Sequence, residues 1–302
     1  MFVNFKAQIT KMNTTKFSKI IAGTMSWGAW GKKFNCSEMQ RMIESVVDLA
    51  ITSFDHADIY GGYTTESAFG TAFSKTSISR SKVQLISKCG IQLITPNRPN
   101  TIKHYDCSKA YIIASAEASL KHLKTEYLDL LLIHRPNPLM HPHEVMEAVE
   151  QLKKEGKIRR FGVSNFAPPQ LELMSSEVGI DVHQIEFSVV KCQALFDGRL
   201  DQMLKQNITP MAWAPLGTLF GKETTPQKQR ILDQLQSLTT TYNATTDQLL
   251  LAWILKHPSK IHPVIGSTNL ERIAASVDAV SIDLTTEDWF RVLGASQGHE
   301  VP

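Results

Sequence analysis

The chain has 302 residues, 42% of them hydrophobic and 20% charged, which supplies a sizeable core and excludes a disordered composition. A formal net charge of +3 gives no reason to expect nucleic acid or an anionic membrane as partner, although a local basic cluster could hold a phosphate. Cys36, Cys89, Cys107 and Cys192 lack CxxC or CxxH spacing, so they read as reduced thiols rather than a disulfide framework or a zinc site. No basic region leads an apolar N-terminal core and no apolar run reaches about 18 residues, so a soluble, cytoplasmic protein is expected.

Residues 1–16 are polar and weakly alternating, and read as a peripheral segment with a short strand or hairpin. Phe17 to Ala22 predicts a first strand, broken by Gly23 and followed by the turn Trp27-Gly-Ala-Trp30-Gly. Ser37 is a fair N-cap for a helix carrying Met39, Met42, Ile43, Val46, Val47 and Ala50 at i, i+3, i+4, i+7 spacing. Ile51, Thr52 and Phe54 form a short β-branched and aromatic run that ends in Asp55. A polar loop then brings Tyr60 against Gly61 and Gly62. Thr64 or Thr65 caps a helix through Phe73, and Val83 to Ser87 is a third strand ending at Lys88. The segment 89–106 is too long for a routine βα connection and reads as the wall of a substrate mouth.

A helix from Ser108 to Leu123 leads to the apolar strand Tyr127 to Ile133, which ends at His134. A helix over Pro142 to Glu155 precedes the strand Arg160 to Val163, ending at Ser164-Asn165, and Pro168 starts the next helix. Val182 to Ile185 is a sixth strand, with Gln184 polar in an apolar setting; a helix over Arg199 to Gln206 precedes a seventh, Pro210 to Ala214. Two helices, near Gln227–Leu238 and Thr246–Lys256, separate it from the strand Ile261 to Ile265. Asn269 begins the last helix of the repeat, and a tail over 285–302 contains a short helix.

Eight alternating strand–helix units, with no linker or shift in composition, predict an α/β fold: one (β/α)8 TIM barrel spanning 1–302. A doubly wound open sheet would normally carry Gly-x-Gly-x-x-Gly after an early strand; Gly23-Thr-Met-Ser-Trp-Gly28 has the wrong spacing. In a barrel every strand opens its carboxyl end on the same face, so Asp55, Tyr60, Lys88, His134, Ser164, Asn165, Gln184, Trp213 and Ser267 collect at one mouth. Taken singly, Asp55 could cap a helix, Lys88 could snorkel to solvent, and His134 could be a satisfied core histidine. Taken together, Asp55, Lys88, Tyr60 and His134 suit proton donation to a carbonyl oxygen. An ammonium beside the phenol favours phenolate and lowers its pKa, and the carboxylate holds the ammonium charged.

Over nearly its whole length, from Gly23-Thr to about Ser276, the chain resembles the aldo-keto reductase superfamily. The resemblance implies a (β/α)8 barrel that binds a nicotinamide dinucleotide without a Rossmann motif. Its catalytic tetrad falls on Phe54-Asp55-x4-Tyr60, Ser87-Lys88 and Leu132-Ile133-His134-Arg-Pro. Gly162-Val-Ser164-Asn165-Phe matches the family segment that holds the nicotinamide carboxamide, with Gln184 assisting. Trp213 takes the place of the aromatic that stacks on the nicotinamide ring, and Leu216 to Phe220 is expected to cover the pyrophosphate with backbone. Ser267 and Arg272 fit the segment that binds the 2′-phosphate and adenine. Gly266 replaces the lysine many members carry there, and Ala275-Ser276 replaces a later Glu-Asn pair. NADP(H) is therefore favoured over NAD(H).

The function expected is reduction of a small aldehyde or ketone, with Tyr60 as acid, Lys88 and Asp55 tuning it and His134 orienting the carbonyl. Trp27, Trp30, His56, Tyr63 and the 89–106 loop are candidates for the substrate wall; each is also a plausible packing residue. A cofactor-sensing regulatory subunit of the same fold is a second reading, and a Schiff-base aldolase using Lys88 a third. The oligomeric state is not legible.

Overall fold

Strands of a barrel alternate between an interior and a helix-facing side with a period of two residues, and this alternation decides which polar groups meet. The computed structural model describes residues 16–96 and 98–301, so the expected N-terminal strand or hairpin lies, apart from Lys16, outside the described residues. Eight parallel strands close a ring: β1 (Ile21–Gly23), β2 (Ser53–Asp55), β3 (Gln84–Cys89), β6 (Leu130–Ile133), β7 (Phe161–Ser164), β8 (Val182–Glu186), β9 (Thr209–Trp213) and β10 (His262–Ile265). The two remaining strands, β4 (Ile91–Gln92) and β5 (His104–Tyr105), form a small antiparallel hairpin inside the 89–106 segment, the long connection expected to shape the substrate mouth.

Helices α1 (Cys36–Asp48), α2 (Thr65–Phe73), α3 (Lys109–Leu123), α4 (Pro142–Lys154), α5 (Pro168–Ser175) and α6 (Arg199–Gln206) follow successive barrel strands. After β9 comes the pair α7 (Pro226–Tyr242) and α8 (Thr246–Leu255), then α9 (Leu270–Asp278) after β10 and α10 (Thr286–Gln297) in the tail. The main core lies between helices and sheet, where Phe54, Leu85, Leu131, Ile133, Phe161 and Val163 point outward into it. A second apolar layer, Ile21, Ile86, Leu130, Leu132, Val182, Met211 and Val264, fills the barrel, with Phe17 packed on it from the amino end. Phe17 therefore plugs the barrel floor instead of opening the first strand, its ring edge-on to His262 at 6.4 Å. No helix of the described residues is long and apolar enough to cross a membrane.

Local chemistry moves several boundaries. Helix α1 starts from Asn35 rather than Ser37: the Asn35 side chain accepts from Glu38 N, and Glu38 accepts from Asn35 N, a complete capping box. Strand β6 begins at Leu130 because Tyr127 is held outside the ladder between the guanidinium groups of Arg80 and Arg159, 4.0 and 3.7 Å from its ring centre. Arg80 also donates to the Tyr127 carbonyl and pairs with Asp129 at 2.7 Å. Helix α10 is fixed by Trp289, which stacks on Trp253 at 4.8 Å while each indole N–H donates to the other residue's carbonyl.

Candidate active site

Register brings the polar groups together. Asp55 is level with Ile86, so Lys88, two residues further along β3, faces the same interior one layer higher. The same alternation puts Gly23, His134, Ser164, Gln184 and Trp213 at the carboxyl end of the interior, above the Ile86–Leu132–Val182 layer. The Lys88 ammonium donates to Asp55 Oδ2 at 2.7 Å, to the His56 carbonyl at 2.8 Å and to the Tyr60 hydroxyl at 3.1 Å. All three of its protons are engaged, and Lys88 is 1% and Asp55 3% exposed. The other Asp55 oxygen accepts from Gln184 Nε2 at 3.0 Å.

Tyr60 is delivered by a tight turn whose Gly61 and Gly62 have φ of +63° and +67°, a region that a side chain would strain. Its ring lies 6.1 Å from the His134 ring, edge to face, and 6.2 Å from Trp30. Burial raises the Tyr60 pKa above its ordinary value; the Lys88 charge pulls it down and Asp55 pushes it up, and the net direction is upward. The expectation of a lowered tyrosine pKa is thus reversed, because desolvation of the phenolate outweighs the ammonium. For Lys88, burial favours the neutral amine, but the Asp55 and Tyr60 partners raise its pKa overall, so it stays charged. His134 is held well below the usual histidine range by burial, then by the charges of Lys88, Arg135 and Lys103, and its Nδ1 is buried without a partner among the described residues.

Asn165 has φ of +64° and its Nδ2 donates to Ser164 Oγ at 2.7 Å, while its Oδ1 accepts from Trp213 Nε1 at 2.9 Å. This network fixes the Trp213 ring at the rim of a cavity of about 620 Å³, lined by Asp55, Tyr60, His134, Ser164, Asn165 and Gln184 among others. Leu216 is outside the lining and packs on the core, in a turn closed by Gly217 N donating to the Ala214 carbonyl. Ser267 lies on the β10–α9 connection and Arg272 in the first turn of α9: Ser267 Oγ accepts from Asn269 N, and Arg272 N donates to the Asn269 side chain, the N-cap of that helix. Among the described residues no carboxylate pairs with Arg272.

Three of the substrate candidates face elsewhere. Trp27 is fully buried against Phe34, Phe54 and Phe69, and its indole donates to the Ser267 carbonyl at 3.1 Å, so it braces the β10–α9 connection from beneath. His56 alternates outward from Asp55: it is fully buried, edge-on to Phe69 at 4.4 Å, with Nδ1 2.8 Å from Thr24 Oγ1. Burial and then Lys88 push its pKa down to about 3. Tyr63 also misses the cavity; its hydroxyl donates to the Ile91 carbonyl and accepts from Leu93 N, pinning the hairpin. Trp30 does line the cavity. Ile91, Lys103 and Tyr105 of the 89–106 segment line it as well, and so do Met25, Ile59 and Arg135, which were not singled out from sequence. For Arg135 the signal was present, since it follows His134 at a strand end; Lys103 and Tyr105 depend on a hairpin that two-residue strands do not announce.

The sequence model of the Aldo/keto reductase family matches residues 19–296, which is nearly all of the described barrel. The chain belongs to the aldo/keto reductase family. It is accordingly an NAD(P)H-dependent oxidoreductase. It is 41% identical over 293 residues to the oxidoreductase YcsN of Bacillus subtilis, covering 95% of this chain and 97% of that one. It is 35% identical to the 6-dehydroglucose reductase of Agrobacterium fabrum, covering 88% and 90%. The crystal structure of an aldo/keto reductase from Klebsiella pneumoniae in complex with NADP and acetate has the same fold. That likeness has a TM-score of 0.76 at 23% identity, over 95% of this chain and 93% of the other.

Proposed function

We propose that this aldo/keto reductase uses NADPH to reduce an aldehyde or ketone to an alcohol, with Tyr60 donating the proton. The observation that carries the reading is the Lys88 ammonium, buried and donating at once to Asp55, the His56 carbonyl and Tyr60 at the floor of an open cavity. The same engagement argues against an imine-forming lysine, which needs a free amine.

The residues present fit a nicotinamide dinucleotide. Ser164 and Asn165 offer amide and hydroxyl groups beside the fixed Trp213 ring, and the buried His134 Nδ1 has no partner among the described residues. Gln184 extends this set, its amide nitrogen tying it to Asp55. Leu216 would lie along the pyrophosphate, and Ser267 and Arg272 would hold a 2′-phosphate, for which a guanidinium fork is well shaped. Held there, the nicotinamide would supply the hydride for the carbonyl carbon.

Every other part belongs to the chain. Tyr60 keeps its proton through neutral pH because burial raises its pKa, and it presents that proton to the carbonyl oxygen. Lys88 hydrogen-bonds the phenol oxygen, so its charge stabilises the phenolate left behind, and Asp55 holds Lys88 ionised and in place. His134, neutral across the working range, adds an uncharged hydrogen bond beside Tyr60. A screen following NADPH and NADH absorbance with aldehydes, ketones and quinones tests the reading. Turnover faster with NADPH is expected; tight NADPH binding with no oxidation across the panel would favour the regulatory alternative.

A further inference from the structure

We propose that Arg135 and Lys103 form an anion-recognising rim on the substrate side of the cavity, so that the preferred carbonyl compound carries a carboxylate away from its reacting carbon. The inference rests on the carbonyl-reductase reading and names its substrate class.

The cavity lining is unbalanced in charge. Its one carboxylate, Asp55, is consumed: one oxygen binds Lys88 and the other Gln184. Two further cations, Lys103 and Arg135, line the same space, and neither forms an ion pair with any described residue. The described contact of the Arg135 guanidinium is with the Trp213 ring, 5.6 Å from its centre, and none of its N–H groups donates to a described residue, so the donor fork is available to a ligand in this cavity. Lys103 arrives from the neighbouring connection, one residue before the second strand of the hairpin. Both charges reach the reacting centre, since they help depress the His134 pKa.

The ring order separates this rim from the cofactor's phosphate end. Arg135 and Lys103 follow β6 and β3, whereas Ser267 and Arg272 follow β10; in the order β1-β10-β9-β8-β7-β6-β3-β2 these lie across the barrel. A guanidinium matches a carboxylate through two parallel bonds, stronger than neutral contacts and favoured further in a partly desolvated mouth. Trp30, Ile59, Ile91 and Tyr105 supply apolar surface to the same cavity.

The probe pair is 4-carboxybenzaldehyde and its methyl ester, which share ring and aldehyde and differ in charge. With NADPH at low salt, kcat/KM for the acid is expected to exceed that for the ester by roughly tenfold or more, and the preference to shrink as salt rises. Arg135→Gln should bring the acid-to-ester ratio toward one, and Lys103→Gln, on the exposed hairpin, should lower it partially. In parallel, calorimetry on the NADPH-loaded protein measures binding of 4-(hydroxymethyl)benzoate and its methyl ester, a readout independent of turnover. Selective acid binding that Arg135→Gln abolishes supports the rim even if no aldehyde is reduced, in which case only the catalytic reading falls. Reduction of both aldehydes at equal efficiency, with equal binding of the two alcohols, overturns the rim alone. A raised KM for NADPH in Arg135→Gln with an unchanged acid-to-ester ratio would likewise overturn it, assigning that cation to the cofactor.

Discussion

Lys88 holds the site together because burial leaves its ammonium no water to fall back on. Its pairing with Asp55 is between side chains only 1% and 4% exposed, so removing one partner strands a charge. Asp55→Asn should therefore cost about 3–5 kcal/mol of folding stability, read from urea midpoints, as well as activity. The pH dependence of reduction follows from two groups with opposite shifts. Tyr60 must be protonated to donate and its pKa is raised, so reduction should persist through neutrality and fall only on the alkaline side of about 10. His134 is held neutral, so the profile should show no inflection near 6.5, the ordinary histidine value. An inflection there that disappears in His134→Gln would contradict the assignment of a neutral imidazole. At the adenosine end, Arg272→Ala should raise KM for NADPH by roughly tenfold while leaving that for NADH nearly unchanged, because only the former carries a 2′-phosphate.

Helices and strands place these groups through close packing that tolerates little added bulk. Gly70 in α2 faces α3, and a methyl there would overlap the His122 carbonyl. Gly70→Ala should destabilise the protein by about 1–3 kcal/mol, measured by denaturant unfolding, with the cavity chemistry left intact in the folded fraction. The strand–helix alternation was legible in the sequence because strands such as Leu130–Ile133, buried on both faces, read as continuous apolar runs bounded by helical stripes. The tetrad residues were legible for a related reason: Asp55, Lys88 and His134 lie at or just beyond the end of such a run, and Tyr60 in the polar loop that follows Asp55. What escaped was set by contacts distant in sequence. Asn35 displaced Ser37 as cap through a reciprocal bond with Glu38, and Phe17 left the first strand for the barrel floor. His56 and Trp27 have the composition of a substrate wall, but the period-two alternation turns His56 outward to Phe69 and Thr24, and Trp27 is enclosed by three phenylalanines. The Tyr60 pKa was misjudged because the sequence displays the neighbouring lysine without the depth of burial.

At the scale of the whole molecule, the buried titratable groups outside the cavity set the response to acid. His56 and His183 are pushed to about 3, chiefly by burial, whereas an unfolded histidine protonates near 6.5. The unfolded chain thus binds more protons, and the stability they contribute is full above about 6.5 and is lost as pH falls toward 3, at up to about 1.4 kcal/mol per pH unit for each histidine. Asp58, raised to about 7 by burial and then by Glu66, acts in the opposite sense: its contribution is full below about 3.8 and is lost as pH rises toward 7. The histidines outnumber it, so stability should fall as pH drops from 6.5 to 4.5, and His183→Asn should reduce that slope by about one proton. Urea midpoints across this interval check the sign; stability that rises on acidification would contradict it. Across the barrel, the closed ring gathers eight strand ends on one face, and one lysine there links a carboxylate, a carbonyl and a phenol. The most direct test of that arrangement is Tyr60→Phe, measured for NADPH binding by fluorescence titration and for single-turnover reduction of an aldehyde the wild type accepts. Retained NADPH affinity with a rate lowered by about 10²–10⁴-fold is the predicted result. A Tyr60→Phe protein that reduces the aldehyde at close to the wild-type rate would contradict the assignment of the proton to Tyr60.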